Sequence, residues 1–237
     1  MRLILYQPTR FAHPSSIKNN QELKQDVEQA IQWEPVMASA EIGVVAKNGV
    51  IILSGVVDSY VKQLVAAHAA KGVDGVKALT NNLLVKLAKG QTLTDVELEA
   101  NVRAALQANA LVYSCSLRVQ VIASWVTLDG ELPWNHQREA AVNAVNALKG
   151  VRGVTNNVVI KPVSHDLADP HLVQKALGRN WAVANCDIQV DMSGSTVYLK
   201  GSVDALCQRE EAERIGWNTP GVGHLRNEVE VKFVYAF

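Results

Sequence analysis

One seven-residue strand pattern occurs three times and constrains this chain more than any other feature. It reads Ile51-Ile52-Leu53-Ser54-Gly55-Val56-Val57, then Val126-Thr127-Leu128-Asp129-Gly130-Glu131-Leu132, then Val197-Tyr198-Leu199-Lys200-Gly201-Ser202-Val203. Each central glycine is followed 20 residues later by a second glycine in a Gly-Val pair, at Gly75, Gly150 and Gly221. Self-similarity at this period marks tandem structural units, so 237 residues with 48% hydrophobic content should build three small cores instead of one large one. Units this short sit near the lower limit for independent folding, and are expected to pack on one another and to lose stability when cut apart.

Periodicity gives each unit the same order of elements. Leu23, Val27 and Ile31 recur at helical spacing, as do Leu98, Val102 and Leu106, and Val173 and Leu177. Asn19 or Asn20, Thr94 or Asp95, and Asp169-Pro170 supply the helix starts. Alternation follows at Ile42, Val44 and Ala46, at Leu117, Val119 and Val121, and at Ile188, Val190 and Met192, the mark of a half-buried strand. Asn48-Gly49 and Ser193-Gly194 read as hairpin turns, whereas Ala123-Ser124 is a poorer turn signal at the same place. A second helix, expected over 58–71, 133–148 and 204–217, crosses to a third strand at Leu79 to Val85, Val154 to Ile160 and Leu225 to Val231. The fold class is therefore α+β, with three tandem α-β-β-α-β units. Each is a small mixed three-stranded sheet with two helices packed on one face and the other face open. Unit boundaries are expected at 19–88, 92–163 and 167–234, preceded by an extended arm over 1–18.

The glycines are expected to mark register, as bulges or close approaches at a strand end where a side chain would clash. Asn81, Asn156 and Asn227 are read as structural residues on the polar side of the third strand.

Composition and motif spacing exclude several functions. Lys plus Arg equals Asp plus Glu at 23 each, leaving no overall attraction for nucleic acid or for an anionic surface. Basic residues gather toward the first third and acidic ones toward the last, which allows the two ends a weak mutual attraction. Gly72-Val73-Asp74-Gly75 and Gly150-Val151-Arg152-Gly153 imitate an RNA-clamping GxxG loop, but they lead into a strand and carry no basic cluster. Cys115, Cys186 and Cys207 have neither metal nor disulfide spacing, and Cys115 and Cys186 read as small apolar core residues. His165-Asp166 and His171 lack the geometry of a metal site, and no catalytic set can be assembled. No enzymatic activity, metal or cofactor is expected. Met1 to Tyr6 is too short an apolar run for a signal peptide, and no stretch approaches a membrane span. As given, the chain reads as cytoplasmic, and as periplasmic if its native N-terminus is truncated.

The V-x-L-x-G-x-V strand, the later G-V-x-x-V-x-N-x-V strand and the order of elements resemble the BON domain over roughly residues 20 to 233, three times in succession. The resemblance implies a bacterial protein that binds and does not catalyse. It implies envelope maintenance, osmotic stress and contact with phospholipid or envelope proteins, in a family whose members are usually secreted or lipid-anchored. The alternative is a cytoplasmic stress protein that binds a small ligand or an ion.

What varies between the copies is the segment joining first helix to first strand. It carries Trp33, Pro35, Val36 and Met37, then Leu111, Val112 and Tyr113, then Trp181 and Val183. Trp33, Met37, Tyr113 and Trp181 are the candidate ligand- or membrane-contact residues, because tryptophan combines an apolar body with a polar N–H at a wet boundary. The competing reading is that these side chains close the end of a core or the seam between units.

Overall fold

The computed structural model describes residues 19–37, 41–87, 93–112, 117–161 and 169–232. The arm expected over 1–18, together with Tyr113, Cys115 and the His165-Asp166 pair, lies outside the described residues. Unit one is helix α1 (Asn20–Gln32), strands β1 (Ile42–Lys47) and β2 (Val50–Val57), helix α2 (Tyr60–Lys71) and strand β3 (Ala78–Val85). Unit two is α3 (Asp95–Ala108), β4 (Arg118–Ile122), β5 (Trp125–Leu132), α4 (Asn135–Asn146) and β6 (Gly153–Ile160). Unit three is α5 (Pro170–Arg179), β7 (Asp187–Ser193), β8 (Thr196–Val203), α6 (Leu206–Trp217) and β9 (His224–Val231). In every sheet the glycine-bearing strand is central, antiparallel to the strand before it and parallel to the one after.

Burial follows the two periods. Val44, Ile51, Leu53, Val57 and Leu83 face the helices in unit one, and Leu23, Val27, Ile31, Ala66 and Ala70 meet them. Ala66, Ala141 and Ala212 hold one equivalent position on the second helices, all fully buried, and their small side chains let the helix lie close to its sheet. Gly216 continues that approach, since a Cβ there would lie 2.3 Å from Leu225 Cδ1.

The first helices begin at Asn19, Thr94 and Asp169, whose side chains accept backbone N–H bonds from the first turn. The neighbouring Asn20 and Asp95 act elsewhere: Asn20 Oδ1 accepts the Asn48 N–H at 2.8 Å, and Asp95 accepts the N–H groups of Ala123 and Ser124 at 2.8 and 2.9 Å. Here lies the reason a poor turn sequence makes a tight hairpin in unit two. Ala123 and Ser124 stand at φ 51° and 64°, a region that costs an L-residue roughly 1–2 kcal/mol, and the Asp95 carboxylate holds both amides in place. Converting Ala123-Ser124 to Asn-Gly should therefore raise stability by about 1–2 kcal/mol, measurable as a higher urea midpoint at unchanged slope. In unit three the turn falls one residue later than expected: Ser193 closes β7, and the loop is Gly194-Ser195.

The asparagines of the third strands need a correction. Asn81, Asn156 and Asn227 lie on the helix-facing parity of their strands, not the polar one, because Leu83, Val158 and Val229 two residues on are buried. Each Oδ1 accepts the N–H of that second residue, at 3.1, 3.1 and 3.2 Å. In unit one Gln63 Nε2 also donates to the Leu83 carbonyl at 2.8 Å, and in unit three Arg209 donates to the Asn227 carbonyl at 3.2 Å. Backbone groups on the open edge of the sheet are thus taken up by side chains of the same unit.

The three units are joined by one kind of contact. Tyr60, Asn135 and Leu206 are each the first residue of a second helix, five positions after the central glycine. Tyr60 packs on the core of unit two and its phenol oxygen meets the backbone of Val154, while burial raises the phenol above its ordinary pKa. Asn135 Nδ2 donates to Asn218 Oδ1 of unit three at 3.1 Å, and Arg138 stacks over Trp217, 4.5 Å from the ring centroid. Leu206 enters the core of unit one and its N–H donates to the Val76 carbonyl at 3.2 Å. Lys71 and Glu210 add an ion pair at 2.6 Å between the first and last units, the attraction that the charge drift allows. Each second helix therefore sets its start against the turn or strand following the second helix of the next unit. Unit three returns to unit one, so the head-to-tail contact closes into a ring.

Candidate functional site

Three equivalent loops, joining first helix to first strand, form the candidate site. Two of them begin with the same device. Asn109 and Asn180 leave the helix in extended backbone, and their side-chain oxygens accept the N–H of Leu111 at 3.0 Å and of Ala182 at 2.9 Å. Asn180 also donates to Glu211 at 2.7 Å, tying its loop to α6, while the Arg214 hydrogen bond holds the Glu211 carboxyl below its usual range. In unit one the helix runs on to Trp33, whose N–H donates to the Gln29 carbonyl at 2.9 Å, and a 3-10 turn follows over Pro35–Met37.

Each loop places one apolar side chain inward and another outward. Met37, Val112 and Val183 plug the ends of the three cores. Trp33 is 84% exposed, Leu111 49% and Trp181 90%. The structure thus divides the four sequence candidates. Trp33 and Trp181 face water. Met37, only 4% exposed, belongs to the core and is unavailable for contact, the thioether having filled the gap beneath the 3-10 turn. Tyr113 lies outside the described residues.

Gly75, Gly150 and Gly221 lie in turns as expected, but Gly55, Gly130 and Gly201 do not end their strands: β2, β5 and β8 run two residues further, to Val57, Leu132 and Val203, still paired with the third strand. Gly55, Gly130 and Gly201 have φ of 135°, 147° and 120°, and Gly75, Gly150 and Gly221 have φ of 95°, 90° and 83°. A Cβ on Gly55 would stand 2.6 Å from the Glu41 carbonyl oxygen, and one on Gly201 would stand 2.0 Å from that of Asp187. Backbone approaches backbone at these points, so they hold the sheet and offer no pocket to a ligand. Cys186 is half-buried, packs against the core of unit three, and has its thiol pushed up by burial. Among the described residues no group of three or more His, Cys, Asp or Glu side chains is arranged to hold a metal, and no helix is long and apolar enough to cross a membrane.

Sequence reasoning missed the ring seam and the character of the outer sheet faces. A position-by-position comparison of the copies could have found the second. Outward positions that are Val45, Val56 and Leu84 in unit one become Asp191, Ser202 and Glu230 in unit three.

Comparison with known proteins agrees with this architecture. The chain is 30% identical over 151 residues to osmotically-inducible protein Y of Escherichia coli, an overlap of 60% of this chain and 75% of that one. Two structures of CdsD, a structural protein of the type III secretion system of Chlamydia trachomatis, align with 88% and 91% of the chain and 91% and 100% of theirs. They are 17% and 16% identical, with TM-scores of 0.24 and 0.23, values too low to support any conclusion about this chain. The model of the BON domain matches residues 19–86, 94–162 and 172–232, so this three-unit chain belongs to the BON domain family.

Proposed function

We propose that the chain is a noncatalytic binding module of bacterial osmotic-stress and envelope physiology, which contacts a phospholipid or envelope-protein surface through its helix-to-strand loops. The observation that carries this reading is the outward placement of Trp33, Leu111 and Trp181 on equivalent loops. Closure of the ring supports it. The contacts between units put three copies of the loop on one connected body, so that contributions from several apolar tips to binding one surface would add. Indole suits that boundary, its ring passing into the apolar layer while the N–H stays hydrated. The kinship with an osmotically inducible protein supports the physiological setting.

Cosedimentation with vesicles containing phosphatidylglycerol tests the proposal. The native chain should pellet with them, and the double variant Trp33→Ser, Trp181→Ser should bind at least tenfold more weakly. Withdrawing one indole alone removes about 2 kcal/mol of apolar transfer. Because both side chains project into water, the melting temperature should not change. Undiminished binding by the double variant would remove the loops from the function. A rise in melting temperature with a soluble ion or osmolyte, without vesicle binding, would instead support the small-ligand alternative.

A further inference from the structure

The second helices of the three units start at equivalent places with different residues, and unit two departs furthest from what a helix start needs. The N-cap is Ser59 in unit one, Trp134 in unit two and Ala205 in unit three. Trp134 stands in extended backbone and makes no side-chain bond to the first turn, at a position where short polar side chains are the preferred residues. It is 38% exposed, and its indole lies nearly parallel to the exposed His136 ring, with centroids 6.2 Å apart, whereas Ala205 is buried. A large aromatic side chain therefore sits at a wet boundary where it does nothing for the helix it begins.

This helix start adjoins the candidate site through one side chain. Gln137 Nε2 donates to the Leu111 carbonyl at 3.1 Å, and the equivalent Gln208 donates to the Ala182 carbonyl at 3.1 Å. Gln208 Oε1 at the same time accepts the N–H groups of Asp204 and Ala205, at 2.9 and 3.1 Å, so a single amide group spans from the N-cap residue to the loop. In unit two Pro133 has no N–H to give, and Gln137 Oε1 is buried without a partner, but the bond to the loop is kept. Leu111 is thus held at its N–H by Asn109 and at its carbonyl by Gln137, which fixes the exposed tip of the loop next to the start of α4.

We propose that Trp134 is a third indole of the contact surface, and that with Leu111 it gives unit two the phospholipid contact that Trp33 and Trp181 give units one and three. The assignment rests on the reading of the loops as a surface-binding site, and adds to it a residue outside the loops. Unit two is the copy whose helix-to-strand loop has no tryptophan, and the copy that has one at the start of its second helix instead. Trp134 and Leu111 flank the Gln137 amide, so the apolar surface is continuous with the site already described. Phospholipid is the occupant that fits, because the three indoles belong to separate units. A fluid layer takes each ring at its own point of entry, with the N–H left at the headgroup level.

Fluorine NMR of the full chain labelled with fluorotryptophan reads the contact directly, each of the five tryptophan resonances being assigned by its loss in a phenylalanine variant. Phosphatidylglycerol bicelles doped with a nitroxide lipid should broaden Trp134 together with Trp33 and Trp181. Trp217, held under Arg138 at the seam, and Trp125, tied to the Thr155 hydroxyl on the sheet face, should keep their intensity. In parallel, Trp134→Ser should weaken cosedimentation with phosphatidylglycerol vesicles by about threefold. Its melting temperature should not fall, since no capping bond is lost. Broadening of Trp33 and Trp181 without Trp134 would overturn the proposal and leave the loop reading standing, as would undiminished binding by Trp134→Ser. Broadening of none of the three would remove both.

Discussion

Gly201→Ala should destabilise the protein by about 3–5 kcal/mol, the largest effect expected of any single added methyl group. Two costs combine. At φ 120° an L-residue is strained, and the new Cβ would stand 2.0 Å from the Asp187 carbonyl oxygen, a backbone atom that cannot rotate aside. Gly55→Ala meets the same oxygen contact at 2.6 Å and should cost somewhat less. Gly178→Ala is the control: it lies in α5 with nothing within 4 Å of the added carbon, and should stabilise by roughly 0.5–1 kcal/mol through helix propensity. Urea titration of the three variants checks the order. Equal effects at positions 178 and 201 would mean that the central-strand glycines are not the fixed points of the fold.

Leu206→Ala is the second large effect, and its location matters more than its size. The side chain is 7% exposed and sits in the core of unit one although it belongs to unit three. Truncation should cost about 2–4 kcal/mol. Because the cavity opens in unit one, amide hydrogen exchange should accelerate in β2 and β3 as well as in α6. Protection lost only within unit three would show that the ring does not close. The Lys71–Glu210 pair at the same seam is partly exposed, so Lys71→Ala should shift stability by no more than about 1 kcal/mol.

Sequence disclosed whatever repeats with a local cause. The strand glycines recur because backbone meets backbone at one place in every unit, and the apolar periods at Leu23, Leu98 and Val173 recur because every first helix needs a buried stripe. Features with a distant cause were hidden. The hairpin at Ala123-Ser124 depends on Asp95, almost 30 residues earlier, which looked like a rival helix cap. Tyr60, Asn135 and Leu206 share no chemistry, so nothing in their identities marked them as one seam. Within the candidate site, Trp33 and Met37 are four residues apart and both present large apolar side chains, and the 3-10 turn over Pro35–Met37 carries the second into the core while the first faces water.

Tandem copies of one unit carry a hazard during synthesis, since a strand that emerges early can pair with the corresponding strand of a sister copy. Asn81, Asn156 and Asn227 reduce that hazard locally. Each engages an amide on the outer edge of its own strand as soon as two residues of backbone are in place, without waiting for distant chain. The asparagine therefore leaves the open edge one free donor fewer in every copy, and so makes that edge a poorer template for a strand from a sister unit.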